Sequence, residues 1–159
     1  MIRKIVKLGD ENLRKICKPM PKFDLRLWLL LRDMKETMYK AEGVGLAAPQ
    51  VGILRRAVVI IDNDDKVLEL INPEVIWQSE EQVGEFEGCL SVPGEYGIVK
   101  RPMNVRVRAQ NRFGEWFEVE GTGLTARCFC HEIDHLEGIL FTEKSERMLT
   151  EEEIGDGED

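Results

Sequence analysis

The only two histidines of this 159-residue chain stand four residues apart, in the segment Cys130–Gly138. On a helix, that spacing places both imidazoles on one face about one turn apart, where they can share a metal ion. Glu132 follows the first histidine directly and is rotated by about 100° from it, so its carboxylate can lie beside a metal without ligating it. The pattern His131-Glu132-x-x-His135 therefore predicts a metal centre with an adjacent base, rather than two exposed histidines on an amphipathic helix.

A catalytic metal site of this kind needs a third protein ligand and an open position. HExxH proteases usually take that ligand from a downstream histidine or glutamate, but the chain has no third histidine, so a carboxylate or a cysteine must serve. Among the four cysteines, Cys89 stands out because it lies between a glycine and Leu90-Ser91 in a segment that is otherwise hard to explain. Cys128 can instead pack behind the histidines as a small apolar residue, and Cys17 is expected in a short exposed helix without chemical context.

Three segments together resemble the signature motifs of the peptide deformylases. They are Gly43-Val-Gly-Leu-Ala-Ala-Pro-Gln50, Glu87-Gly-Cys-Leu-Ser91 and His131-Glu-Ile-Asp-His135. The motifs stand in the family's order and at similar separations, the similarity extends to about Phe141, and the lack of large insertions resembles the shorter, bacterial-type members. The resemblance implies a metal-dependent hydrolase that removes the formyl group from the N-formylmethionine of nascent polypeptides and releases formate.

The same resemblance implies a role for each site residue. The metal ligands that it implies are Cys89, His131 and His135. They would hold one divalent ion, with Fe²⁺ expected and Zn, Ni or Co also accepted in a preparation. Glu132 would be the general acid and base, while Gln50 and the backbone N–H of Leu90 would donate hydrogen bonds to the oxyanion. Gly45 would let the loop backbone lie against the substrate.

Analogy with the family also suggests the surroundings of the site. A methionine-sized pocket would be lined by Val44, Leu90, Leu124, the stem of Arg127, and Cys128. Each of these could equally belong to the general core or surface. Arg101 and Asp134 would form an ion pair that fixes the motif helix. Cys130 stands where the family often has glutamine, and we interpret it as a packed residue rather than an oxidation-sensitive thiol.

Two helices are expected to position these residues. Asp24 is typical of an N-cap and opens a long helix to about Ala41, with a stripe of leucine and methionine that should face the core. A second helix, from about Leu124 to Glu137, carries the histidines, and Gly138 can close it. Strands are expected at residues 56–62, 67–71, 74–78, 99–110 and 116–120, and a short helix at residues 10–17. Without βαβ alternation, the pattern predicts an α+β fold of antiparallel β-sheets packed around the central motif helix.

Composition limits the partners and the location of the protein. The net charge of −8 argues against general binding to DNA or to membrane surfaces. No apolar run approaches the ~20 residues of a membrane span. The first residues alternate charged and apolar side chains without a secretion-signal pattern, and four cysteines in such a chain are typical of reduced thiols. We therefore expect a cytoplasmic protein that is not bound to a membrane.

The domain organisation is expected to be simple. Residues 1–142 should form a single catalytic domain, and residues 143–159 a polar, acidic and partly disordered C-terminal tail. The partners that the resemblance implies are N-formylmethionyl peptides, with transient ribosome contact as a further expectation. The acidic end of the chain opposes docking on RNA through a basic C-terminal helix, a mode that the resemblance would otherwise suggest.

Two alternative functions remain open at this point. A zinc metalloprotease would share the HExxH pattern, but it would leave the Cys89 motif unexplained and lacks a downstream third ligand. A metal-binding relative without catalysis would be expected to have lost at least one of the named side chains, and all of them are present. Release of formate from a formylated peptide separates the deformylase from both.

Overall fold

Four α-helices and eight β-strands make up the described part of the chain, residues 1–157 of a computed structural model. The helices are α1 (Leu25–Lys40), α2 (Leu124–Leu136), α3 (Phe141–Lys144) and α4 (Glu151–Gly157), with 3-10 turns at Glu11–Arg14 and Ala48–Val51. The strands are β1 (Gly45–Ala47), β2 (Ala57–Ile61), β3 (Val67–Gln78), β4 (Gln82–Cys89), β5 (Val92–Pro102), β6 (Asn104–Gln110), β7 (Trp116–Thr122) and β8 (Ser145–Met148). The predicted α+β class is confirmed.

The strands form two antiparallel sheets. The larger sheet has the order β1-β2-β3-β6-β7, and the smaller one has the order β4-β5-β8. Strands β6 and β7 form an antiparallel hairpin, with Gln110 paired to Trp116 next to the turn. Among the described residues no strand belongs to both sheets, so contacts other than strand pairing must hold the two sheets together at the site.

The larger sheet is covered by one long helix on each face. Along β2, Val58 and Ile60 pack in the same buried cluster as Phe129 of α2, whereas Val59 packs in the cluster that contains Met34 of α1. This alternation follows from the two-residue period of a strand. Complete burial of a side chain of this size contributes roughly 1.5–3 kcal/mol. The predicted core stripe of the long helix and the central position of the motif helix are both confirmed.

Local sequence signals explain where these helices begin and end. The side chain of Asp24 accepts a hydrogen bond from the N–H of Leu27 at 3.4 Å, which confirms the predicted N-cap of α1. Gly138 follows the end of α2 with φ +74°, a left-handed conformation that favours glycine. A Cβ atom at Gly138 would also collide with the backbone of Arg14. The predicted closure of α2 by this glycine is therefore confirmed.

Residues 99–110 do not form the single strand that was expected, because they are divided between the two sheets. Residues 82–102 form the hairpin of β4 and β5 in the smaller sheet, and only β6 belongs to the larger one. Pro102 ends β5, since proline has no N–H to donate to a neighbouring strand. Met103 then donates its N–H to the carbonyl of Glu81 at 2.9 Å, and the chain crosses to the other sheet. The acidic character of residues 81–87 had concealed β4.

Two smaller expectations are also corrected. Cys17 is not exposed on a helix: only Glu11–Arg14 forms a 3-10 turn, and Cys17 is buried in the core with its N–H donating to Leu136 O at 2.8 Å. Asn72 and Pro73 do not end a strand but form an irregularity inside β3, where Asn72 has φ +51°. Asparagine tolerates this conformation better than most residues, and its side chain binds the backbone of Met20.

The chain after residue 142 contains more structure than the expected polar tail. Strand β8 pairs with β5 in the smaller sheet, with Met148 opposite Gly97. Arg147 and Glu153 form an ion pair at 2.8 Å that joins β8 to α4. The last residues of the acidic tail, Glu158 and Asp159, lie outside the described part of the chain. None of the helices in residues 1–157 is both long and apolar enough to cross a membrane.

Candidate active site

Helix α2 and the end of β4 bring three metal-ligating side chains together. The ligand atoms of Cys89, His131 and His135 all lie within 4.8 Å of one another. The Sγ atom of Cys89 is 3.3 Å from Nε2 of His135. Neighbouring donors around one tetrahedral ion, with bonds of about 2.0–2.3 Å, are separated by about 3.3–3.6 Å. The spacing of the Cys89 sulfur and the His135 imidazole therefore fits two ligands of one divalent cation, and His131 lies close enough to share it.

A buried carboxylate that sequence reasoning missed, Glu87, orients one of these ligands. His131 donates its Nδ1 proton to Oε2 of Glu87 at 2.7 Å, which leaves Nε2 of the imidazole for a metal. Burial alone would raise the pKa of Glu87, but the hydrogen bonds from His131 and Arg101 lower it to about 2. The position of Glu87 at the start of the motif that contains Cys89 could have indicated its role. Acidic segments are usually exposed, however, and the partners that bury Glu87 lie elsewhere in the chain.

Two arginines balance the charge of Glu87. Arg101 donates two hydrogen bonds to this carboxylate, at 3.1 and 2.6 Å, and a third to Asp134 at 2.7 Å. The predicted ion pair of Arg101 and Asp134 is confirmed. Arg127 donates to Oε1 of Glu87 at 3.0 Å and to two backbone carbonyls of the smaller sheet. Because an unpaired buried charge is costly, this network holds α2 and the smaller sheet in one arrangement.

Glu132 lies on α2 with its carboxylate enclosed by the protein. It is 4% exposed, and its Oε1 atom has no hydrogen-bond partner among the described residues. Burial raises the pKa of Glu132 to about 7, although the nearby His131 acts in the opposite direction. A buried carboxyl group that is half protonated near neutral pH can both accept and deliver a proton. Its free oxygen adds to the case for a bound group at this point.

Gly45 lies behind this carboxylate, in β1. A Cβ atom at Gly45 would lie 2.6 Å from Oε2 of Glu132, closer than any ordinary contact. Gly45 also lines the cavity of the site. A glycine is therefore needed here for a second reason, which the sequence did not suggest: any larger residue would collide with the carboxylate of Glu132.

The two predicted oxyanion donors lie on different segments that meet beside Cys89. Gln50 accepts a hydrogen bond from the N–H of Ala47 at 2.9 Å, which fixes the orientation of its amide. Its Nε2 atom donates to Ser91 Oγ at 3.1 Å and lies 3.6 Å from Cys89 Sγ. Leu90 connects Cys89 to Ser91, so its N–H belongs to the peptide unit that joins Cys89 to Leu90. Gln50 and Leu90 are thereby brought to one side of the metal-ligand set.

The electrostatic environment differs for the two imidazoles. Burial lowers the pKa of His135 well below its ordinary value, which favours the neutral form that ligates metals. Burial would also lower the pKa of His131, but the charge of Glu132 and the hydrogen bonds with Cys89 and Glu87 raise it well above its ordinary value. The carboxylates around His131 thus favour positive charge here, which a divalent cation also supplies.

A cavity of about 580 Å³ opens beside these groups. Its walls include all the residues that analogy suggested for a methionine pocket, namely Val44, Leu90, Leu124, Arg127 and Cys128. Cys128 is 6% exposed and packs in the core cluster on the α2 side of the larger sheet. Cys130 is partly buried against the same cluster, which confirms its interpretation as a packed residue. The cavity can accept an apolar side chain next to the proposed donors.

Comparison with known proteins assigns the chain to a protein family. The family model described as polypeptide deformylase matches residues 2–151. The chain belongs to this family. A peptide deformylase from Caldicellulosiruptor bescii is 58% identical over 153 residues, which cover 96% of this chain and 91% of that protein. The protein is accordingly a deformylase, a metal-dependent hydrolase that removes the formyl group from N-formylmethionine of nascent polypeptides.

Solved structures of the family have the same fold. The peptide deformylase of Thermotoga maritima is 41% identical, with a TM-score of 0.89 over 92% of this chain and 99% of that one. A Met-Ala-Ser-bound class I type b peptide deformylase from Acinetobacter baumannii is 35% identical, with a TM-score of 0.86 over 91% of this chain and 98% of that one. The deformylase family implies a divalent metal ion and formylmethionyl peptide substrates.

Proposed function

We propose that Cys89, His131 and His135 hold the metal ion of this deformylase and that Glu132 is its general acid and base. The observation that supports this most strongly is the convergence of one thiol and two imidazoles beside a buried carboxylate with a free oxygen. Glu87 supports it further, because a carboxylate on Nδ1 of His131 fixes the tautomer that a metal ligand needs.

We assign Fe²⁺ as the native ion. The resemblance to ferrous deformylases supports iron, whereas the donor set alone would suit several divalent metals. A thiolate donates more charge than a third imidazole, so the ligand set softens the ion that it holds. Zn, Ni or Co can occupy the same three ligands in a preparation, and a zinc form would be the first to expect from an HExxH helix.

The residues of the site can carry out amide hydrolysis. When bound, the cation lowers the pKa of a water molecule and polarises the formyl oxygen. Glu132 accepts a proton from the attacking water as the C–O bond forms at the formyl carbon. It then delivers that proton to the amine nitrogen as the C–N bond breaks, which yields formate and a free N-terminus. Burial of Glu132 favours its neutral form, whereas a bound cation would favour the carboxylate, so the two effects together suit a group that must both accept and deliver a proton.

Gln50 and the backbone N–H of Leu90 are the proposed donors to the oxygen that becomes negative. Such a donor, fixed before the reaction begins, contributes about 3 kcal/mol to the stabilisation of a tetrahedral intermediate. The fixed orientation of the Gln50 amide supports this role, since its Oε1 atom is held by Ala47 and its Nε2 atom faces Ser91 and Cys89. Gly45 allows the β1 backbone to approach both substrate and Glu132.

The substrate is proposed to enter with its methionine side chain in the cavity. Val44, Leu90, Leu124 and Cys128 present apolar surface there, and the polar end of Arg127 is occupied by Glu87 and backbone carbonyls. The Acinetobacter baumannii relative with Met-Ala-Ser bound supports a peptide that begins with methionine.

Residues 1–142 are proposed to form the catalytic domain, because the residues that line the cavity lie between Ile5 and Glu132.

Action on nascent chains would place the enzyme in the cytoplasm, near the ribosome. We propose that any ribosome contact is transient and does not use the C-terminal residues. Helix α4 begins with Glu151, Glu152 and Glu153, and this charge opposes binding to RNA. Substrate recognition at the metal site is then sufficient for co-translational action.

The test combines metal analysis with a substrate comparison on one anaerobic preparation. Formate release is measured with formyl-Met-Ala-Ser, and cleavage is measured with an unblocked peptide that offers only internal amides. We expect about one Fe per chain and formate from the formylated peptide alone. Cys89→Ala should lose bound metal, whereas Cys130→Ala should retain it. Full metal content in Cys89→Ala would refute the ligand assignment, and internal cleavage without formate would instead indicate a metalloprotease.

A further inference from the structure

A short N-terminal arm, defined here as residues 5–8, bridges the two segments that carry the proposed oxyanion donors. The N–H of Val6 donates to the backbone carbonyl of Gln50 at 2.7 Å, and the N–H of Leu8 donates to the carbonyl of Ser91 at 2.8 Å. Gln50 lies in the turn that follows β1 of the larger sheet, whereas Ser91 lies between β4 and β5 of the smaller sheet. The arm therefore connects the two sheets at the site itself.

The spacing of these two hydrogen bonds sets a distance between their acceptors. Donors two residues apart in a chain are separated by at most about 7 Å, so the two hydrogen bonds limit how far apart their acceptor carbonyls can lie. An arm that binds both carbonyls in this way holds Gln50 and Ser91 at a separation that neither sheet sets on its own. The amide of Gln50 also reaches Ser91 Oγ directly, at 3.1 Å. Two independent connections thus join these residues.

Lys7 adds a third contact, to the residue between Cys89 and Ser91. Its Nζ atom donates to the carbonyl oxygen of Leu90 at 3.1 Å. The N–H of Leu90 is the second proposed oxyanion donor, so this ammonium group restrains the residue on its carbonyl side. The Leu90 side chain also packs closely against Gly43, where an added Cβ atom would lie 2.7 Å from the Cδ1 atom of Leu90.

The preceding residues attach the arm to α1. The N–H of Arg3 donates to Thr37 Oγ1 at 2.8 Å, and its guanidinium binds the carboxylate of Asp33 at 3.0 Å. Asp33 is only 3% exposed, and its pKa is lowered to about 2, chiefly by the hydrogen bond from the amino group of Met1 and also by those from Arg32 and Arg3, against the effect of burial. The arm is held at both ends, so it can transmit the position of α1 to the site.

We propose that Val6, Lys7 and Leu8 are positioning residues for deformylation. They set the separation of the Gln50 amide from the Leu90 N–H, so that both donors meet the same developing oxyanion. The proposal rests on the oxyanion roles given above. A misplacement of about 1 Å in a site of this kind can lower the rate by about 10²-fold. The arm contributes no group to the chemistry, and its effect should appear in the rate of the chemical step rather than in metal binding.

The decisive variant is Val6→Pro, which removes a single N–H donor. Its matched control is Val6→Ala, which shortens the side chain but keeps the N–H, and Lys4→Pro controls for a proline elsewhere in the same segment. In the iron-loaded enzyme with formyl-Met-Ala-Ser, we expect kcat of Val6→Pro to fall about tenfold or more, with KM within about twofold. Both controls should stay within about twofold of the unmodified enzyme. Metal content and the visible spectrum of the cobalt form should not change in any of the three.

Several outcomes would overturn the proposal. Equal kcat in Val6→Pro and Val6→Ala would do so, as would a loss of thermal stability without a change in kcat, or a loss of activity that follows a loss of metal. If Val6→Pro does not fold, Lys7→Met decides, since it removes only the ammonium group: kcat should fall about three- to tenfold relative to Lys4→Met, and no difference would refute the role of the arm. Absence of formate release by the unmodified enzyme would instead refute the proposed function.

Discussion

The carboxylate of Glu87 accepts the Nδ1 proton of His131 at 2.7 Å, and both groups are buried. This pair joins the segment that carries the thiol ligand to the helix that carries the imidazoles. The carboxylate of Glu87 thus orients His131 on α2. Because Glu87 lies two residues before Cys89, its anchoring also helps to fix the position of Cys89 at the end of β4. The same residue thus links both kinds of ligand.

Replacement of Glu87 by glutamine should therefore weaken metal binding. The amide keeps the shape of the side chain, but it loses the charge that balances Arg101 and Arg127 and binds the His131 proton less strongly. We expect a 10- to 100-fold loss of metal affinity or activity, measured by metal retention during dialysis against a chelator. Glu81→Gln, at an exposed position of the same segment, should behave as the unmodified enzyme. Equal retention in both variants would remove Glu87 from the support of the site.

Glu132→Gln should separate metal binding from catalysis. The amide cannot accept a proton from water, and general acid–base catalysis typically contributes 10²- to 10⁴-fold to the rate. We expect kcat to fall by that amount while the metal content stays at the level of the unmodified enzyme. Formate release and elemental analysis on the same sample provide the measurement. Activity within a few-fold of the unmodified enzyme would show that Glu132 is not the proton acceptor.

Gly45→Ala tests the close approach of β1 to this carboxylate. The added Cβ would lie 2.6 Å from Oε2 of Glu132, so the carboxylate must move by several tenths of an ångström or more. We expect kcat to fall by about 10²-fold, with metal retained. Gly84→Ala is the matched control, because the nearest atom to its Cβ would be at an ordinary distance of 3.7 Å. A normal kcat in Gly45→Ala would indicate that Glu132 tolerates displacement.

Acid should remove stability that Glu69 supplies far from the site. Burial would raise the pKa of Glu69, but hydrogen bonds from Arg112 and Lys35 lower it below its ordinary value of 4.5. Because the folded pKa is depressed, the stabilisation is complete above pH 4.5 and is lost as the pH falls through the folded value. Glu69→Gln should cost about 1–2 kcal/mol in urea unfolding at pH 7, and this difference should shrink on acidification. Glu74→Gln, on an exposed pair, should cost little at either pH.

Much of this architecture could be predicted from short-range patterns. The stripe of Leu27 to Met38 follows the helical period, and the motif helix has both its histidine spacing and its closing Gly138 in the sequence. The ligand set was accessible because a thiol and two imidazoles are rare enough for their types to indicate chemistry. The structure brings all the proposed site residues to one place, at the junction of α2, β1 and β4.

Other features depend on contacts between distant parts of the chain. Strand β4 contains two glycines and two acidic residues, namely Gly84, Glu85, Glu87 and Gly88, a composition that disfavours strands in isolation. It forms because β5 pairs along its length. Glu87 is buried only because Arg101 and Arg127 reach it from other elements. The burial of Cys17 cannot be predicted locally, because it requires the end of α2, more than a hundred residues later in the chain. Local periodicity carries none of this information.

The absence of a shared strand between the two sheets in residues 1–157 has a thermodynamic consequence. Cys89 belongs to the smaller sheet, whereas His131 and His135 lie on a helix that packs on the larger one. A cation held by all three would therefore link the smaller sheet to α2 and the larger sheet. Because it binds only when the three ligands are together, it would stabilise the folded protein against motions that separate the two sheets. The free energy of unfolding would then increase with metal occupancy, so a chain without its metal would be less stable as well as inactive.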